Sequence, residues 1–180
     1  MTFRSVVLAS GLAWAACLSA TRPILAGDVC QGFKWDVSQE RRLFALSAVR
    51  KVASNQATSA PLVRPNRLYQ LGLTRQEHVV LTTAPGKTAA VGPAFAGIVT
   101  LNAPAPGSYR ISIDGPYWID MLSHGALIAP KDYASAPGCA GPRKIVIFEL
   151  PARGSYVLQL SDADQRSARV AITAVAPRTL

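Results

Sequence analysis

The chain has 180 residues, 49% of them hydrophobic, with 19 Lys and Arg against 10 Asp and Glu, two His and three Cys, and a formal net charge of +9. That length allows one domain with a real core and hardly two, and two histidines are a bare supply for a metal centre. The positive charge favours anionic surfaces such as lipopolysaccharide, phospholipid or acidic polymer, but the arginines are dispersed singly and form no stripe of the kind nucleic acid needs.

Residues 1–26 read as a secretory signal peptide. Arg4 is followed by the apolar run "SVVLASGLAWAACLSA" and then by small-residue exits, which is the charged, apolar and cleavage-region order of an export signal. Cleavage after Ala20 and cleavage after Ala26 both fit, and Ala26 leaves the polar start "GDVCQGF". The alternative is lipid anchoring through Cys17, since "WAAC" places small residues before it, although Trp14 stands where a lipid-attachment box has leucine. The apolar run contains glycine and has no stop-transfer charges after it, so the chain is not membrane-spanning. Removing residues 1–26 takes Arg4 and Arg22 and leaves 154 residues with a net charge of +7. The expected location is the periplasm.

Cys30 and Cys139 are then the thiols left to the folded domain. In an oxidising compartment the pair forms a disulfide that ties the mature N-terminus to the loop "ASAPGCAGPRK". A bridge over a loop of that length stabilises by about 4–5 kcal/mol in the chain-entropy model. The rival role, a reactive or metal-bound thiol, asks for a neighbouring base, and neither cysteine has a histidine nearby in sequence.

Residues 27–65 read as an N-terminal segment of one helix and a linker. In "WDVSQERRLFALSAVRKVAS" Asp36 is placed to cap, Gln39 stands at the capping-box position, and Val37, Leu43, Phe44 and Ala48 recur at near-helical spacing. Arg50 and Lys51 would close its last turn against the dipole. From Asn55 to Pro65 the Ser, Thr, Ala and Pro content reads as linker.

From residue 66 to 176 the period changes to alternation. "RLYQLGL", "HVVLTT", "AGIVTL", "SYRISID", "YWIDML", "ALIAP", "KIVIFEL", "SYVLQL" and "ARVAITAV" give about 8–9 short strands separated by Pro- and Gly-rich turns. No helix-length segment intervenes between them, so the fold class is mainly β: an antiparallel β-sandwich, jelly-roll or Greek-key-like, with one N-terminal helix. Alternation puts Tyr156, Leu158 and Leu160 on one face with Val157 and Gln159 opposite, and sets Val170 and Ile172 against Arg169 and Thr173. Lys144 and Glu149, flanking "IVIF", face solvent or cap strand ends.

Few residues suggest chemistry. "APGKTAA" ends like a phosphate-binding loop, but Leu81 stands where that motif needs its first glycine and no helix follows, so it reads as a hairpin turn. His78 and His124, with Asp120 four residues before the latter, are the material for a metal site, and they lack the H-x-E or H-E-x-x-H spacing. No G-x-S-x-G is present, and the acids name no catalytic pair. The expectation is therefore no catalytic residue, no metal and no cofactor. "DGPYWIDML" is the most informative cluster. In a strand Trp118 and Asp120 share one face and Tyr117 and Ile119 the other, so Tyr117, Trp118 and Asp120 are the ligand-binding candidates, an aromatic platform beside a carboxylate for a sugar or a cationic group. The other role open to the tryptophan is core filling.

The order "CQGFKWDVSQE", "RLYQLGL", "PGK", "AGIVTL", "GSYRISIDGPYWIDM" and "GCAGPRKIVIFELP" resembles a group of uncharacterised small exported, periplasmic proteins of proteobacteria, some of them labelled homogentisate 1,2-dioxygenase. The resemblance spans most of the mature chain. It implies a recurring framework of Cys30, Trp35, Asp36, Trp118, Asp120, Cys139, Lys144 and "FELP", with no activity assigned to any of them. The dioxygenase label implies an iron enzyme, for which this chain offers His78 and His124. "GSYRISID" is also similar to a strand of pre-peptidase-type β-sandwich domains. The reading is thus a binding or envelope-accessory module, with an anionic envelope component or a glycan as partner; the alternatives are a small metal-dependent enzyme using iron and a lipid-anchored envelope protein.

Overall fold

The computed structural model describes residues 30–85 and 92–175. The leader, Cys17, and the part of the "APGKTAA" turn from Gly86 to Ala90 lie outside the described residues. Two sheets pack face to face. The first runs in the order β1 (Val49–Val52), β3 (Arg67–Gly72), β12 (Ser167–Ala174), β6 (Gly107–Ile113), β10 (Lys144–Leu150) and β9 (Asp132–Ser135). The second runs β2 (Leu62–Val63), β5 (Phe95–Ala103), β11 (Gly154–Ala163), β7 (Trp118–Ser123) and β8 (Ala126–Ile128), with β4 (Thr74–Arg75) also pairing to β5. Most connections carry the chain from one sheet to the other. The molecule is a mainly β sandwich with one helix, α1 (Ser38–Phe44).

The period of two builds the core. Tyr109, Ile111 and Ile113 of β6 and Val146, Phe148 and Leu150 of β10 meet Val99 and Leu101 of β5 and Tyr156, Leu158 and Leu160 of β11. Val170 and Ile172 join them as the alternation predicts. The opposite faces are less exposed than alternation alone implies. Gln159 and Thr173 are both buried, because each sheet's outer face carries a cover.

Over the first sheet lies the N-terminal segment. Phe44 packs on Leu68 and Ala171, while Phe33 and Val37 pack with Ala134 and Ile145 around the Cys30–Cys139 disulfide. Two arginines fasten α1: Arg110 Nη1 donates to the Asp36 carbonyl (2.9 Å), and Arg169 Nη2 donates to the carbonyl of Phe44 at the helix C-terminus (2.6 Å). Glu40, fully buried, accepts from Thr173 Oγ1 (2.6 Å) and Arg110 Nη1 (3.3 Å).

Four expectations need correction. The helix stops at Phe44, and Val49–Val52 is an edge strand parallel to β3. The near-helical spacing ran on into residues that no surface buries, with Val52 77% exposed, and its β-branched ends suit a strand. The capping box does not form either: Asp36 accepts from Ser38, and Gln39 reaches Asn66. The stretch taken as linker supplies β2, which pairs parallel with β5, so the sheets are mixed at two edges. "HVVLTT" is not a strand. It lies over the second sheet, Val79 and Leu81 packing on Ala96 and Ile98, and the Gln159 side chain stands in for a partner strand by accepting from Thr82 N and donating to Thr83 O, both at 2.9 Å. Conversely "KDYAS", passed over in sequence, forms β9.

Candidate functional site

The turn "DGPYW" sends two adjacent aromatics to different places. Gly115 makes this possible, since a Cβ there would lie 2.5 Å from the Tyr117 ring, which folds back against it. Tyr117 is 2% exposed within the inter-sheet core. Burial is the main cause of its phenol being pushed well above the usual range, with the charge of Asp114 adding to it. As a ligand-binding candidate Tyr117 is therefore corrected to a core residue. Its carbonyl has a different use, accepting from Lys144 Nζ at 2.7 Å.

Trp118 is half-buried and lines a cleft of about 390 Å³. The cleft lies between β7 of one sheet and β9 and β10 of the other. Tyr133 and Ser135 of β9, Lys144 and Val146 of β10, Ile119, and the loop prolines Pro116 and Pro130 complete its wall. Tyr133 is 64% exposed, so two aromatic rings and one ammonium share an accessible surface. Lys144 Nζ sits 5.3 Å from the Trp118 ring centroid, close enough for a cation–π contact.

Asp120 does share a face with Trp118, and its role is to hold the indole. Trp118 Nε1 donates to Asp120 Oδ1 (2.9 Å), and Gln159 Nε2 donates to Asp120 Oδ2 (3.3 Å). Only 9% exposed, the carboxyl is raised above its ordinary pKa, chiefly by burial and against those two hydrogen bonds. A continuous set of contacts thus runs from Thr82 and Thr83 through Gln159 and Asp120 to Trp118 and Lys144. It fixes the Trp118 ring in the wall of the cleft.

The histidines stand apart from this cleft and on separate turns. His78 ends the short turn after β4, and both His78 and His124 are exposed. His124 (φ 48°) and Gly125 (φ 81°) form the two-residue loop of the β7–β8 hairpin, where positive φ at both positions gives the twist a tight hairpin needs. Among the described residues no group of three or more His, Cys, Asp or Glu side chains is placed to hold a metal ion.

Of the candidates singled out in the sequence, Trp118 lines the cleft and Asp120 holds its indole, while Tyr133, Ser135 and the prolines of the wall were not singled out. Lys144, expected to face solvent or to cap a strand end, does begin β10, and its ammonium turns onto the Trp118 ring. A hydrophobic alternation in "KDYAS" too short to register was the only local signal for Tyr133. Among the described residues no helix is long and apolar enough to cross a membrane. Comparison of the chain with family models, curated proteins and solved structures finds no match in any of the three.

Proposed function

We propose that this chain is an exported binding protein of the bacterial envelope whose cleft holds a saccharide without converting it. The observation that carries the reading is the pair of accessible rings, Trp118 and Tyr133, in one cleft with polar groups at Ser135 and Lys144. Sugar rings present apolar C–H faces that stack on aromatics and hydroxyls that need donors and acceptors, and a cleft of this size lies in the small-molecule range of about 300–1,000 Å³. Glycoside hydrolysis takes two carboxyl groups flanking the bond, whereas Asp120, the carboxyl beside Trp118, is engaged by Trp118 and Gln159. Export is supported by the leader-like residues 1–26 and by the Cys30–Cys139 disulfide, since such bridges persist in oxidising compartments.

The test is titration of the oxidised protein with a set of oligosaccharides, followed by tryptophan fluorescence and by chromatography of the recovered sugar. Saturable quenching that is lost in Trp118→Ala, with the sugar recovered intact, is the expected result. A cleaved or oxidised product would overturn the non-catalytic reading, and absence of binding across the set would overturn the saccharide reading. Mass spectrometry of the chain exported by a bacterial host should give an N-terminus at Gly27; a lipidated Cys17 would move the protein to a membrane anchor.

A further inference from the structure

We propose that the saccharide is acidic, carrying a carboxylate, sulfate or phosphate, and that Lys144 selects it; this rests on the saccharide reading above. Within the cleft wall Lys144 is the charged side chain. The Asp120 carboxylate beside the aromatic platform accepts from Trp118 and Gln159, and its charge also acts on Lys144. The Trp118 ring already carries an ammonium at 5.3 Å, so a cationic ligand seeking that ring meets a like charge held in place by the Tyr117 carbonyl. An anionic group meets the opposite sign in a partly enclosed site, where charges are less screened than in open water. Pro116, Ile119, Pro130 and Val146 surround the rings with apolar surface, so recognition by charge comes together with stacking and not in place of it. The chain is basic, at +9 in full and +7 without residues 1–26, a sign that steers anions toward it.

Calorimetry of the oxidised protein with three acidic oligosaccharides (carboxylated, sulfated and phosphorylated), each beside its neutral parent, tests this. At least one acidic form should bind about tenfold or more tightly than its parent at low salt, the margin shrinking as salt is added. Lys144→Gln should remove the margin between each acidic sugar and its parent, while Lys144→Arg keeps it. Equal affinity for every acidic sugar and its parent would overturn the proposal and leave the saccharide reading standing. No binding of either kind by protein with a native near-ultraviolet dichroism spectrum would overturn both. Inorganic sulfate or phosphate binding as tightly as the sugars would also overturn it, reducing the cleft to a simple anion site.

Discussion

The two lateral margins of the sandwich are finished in opposite ways. Along β5 the free edge is covered piece by piece: Thr74 and Arg75 pair with Ala96 and Phe95, Ser54 bridges to Ile98, and Leu62 and Val63 pair with Thr100 and Leu101. Three fragments from different parts of the chain thereby satisfy one strand's backbone groups, as an exposed edge would otherwise template aggregation. Across the molecule, β7 is paired with β8 only from Met121 to Ser123, and the margin beside Trp118 opens into the cleft. One margin spends sequence on closure and the other on an accessible wall. Residues that close the molecule should therefore govern stability, and residues of the open margin should govern binding.

The largest effect is expected beneath α1. Glu40→Ala removes the acceptor of Thr173 and one partner of Arg110, whose side chain is 16% exposed, and breaking such a buried pair costs about 3–5 kcal/mol. Urea unfolding would read it as a lower midpoint at unchanged slope. Replacing Cys30 and Cys139 together with alanine should cost about 2–5 kcal/mol in the same measurement. At the closed margin, Gly97→Ala puts a Cβ 2.5 Å from that of Ala53, and overpacking of this kind costs about 1–3 kcal/mol. A smaller and pH-dependent change is expected at Asp120. Because its folded pKa is raised, the native state holds a proton that the unfolded chain gives up, so stability falls as pH rises through that window. Asp120→Asn should remove this slope, gaining on the wild type in thermal scans as pH rises from the usual carboxylate range toward neutrality. Least of all, Tyr133→Ala should change stability by no more than about 0.5 kcal/mol, being a surface change, while weakening saccharide binding. A large loss of stability from Tyr133→Ala, or unaltered binding, would erase the contrast between the margins.

What the sequence made legible follows from how local each signal is. "SYVLQL" and "ARVAITAV" carry their own alternation, and Tyr156, Leu158, Leu160, Val170 and Ile172 enter the core as the pattern requires. Cys30 and Cys139 could be paired by count and compartment. The overrun of the helix had a local cause as well, since Leu43, Phe44 and Ala48 are spaced like a helix face and nothing nearby announces that the face ends at Phe44. The cover over the second sheet was not legible. "HVVLTT" is β-branched like a strand, but Val80 N donates to the Asn55 carbonyl and the two threonines bond the side chain of Gln159, more than seventy residues away. The cleft shows the same division: Trp118 and Asp120 lie two apart and declare a shared face, whereas Tyr133 and Lys144 come to them only through the pairing of β9 with β10.

That pairing has a bearing on when the protein can work. The connection between β9 and β10 carries Cys139, and its bridge to Cys30 anchors the far end of the hairpin that supplies Tyr133 and Lys144. Gly32 presses against the same place, too near the Ser135 carbonyl to admit a side chain. Until the two sulfurs are joined, β10 is still held by its pairing with β6, but the β9–β10 connection lacks its covalent tie to Cys30 and keeps more freedom to be lost on binding. If the cleft holds the proposed saccharide, oxidation would then act on affinity as well as on stability, and the reduced chain would grip it less fully.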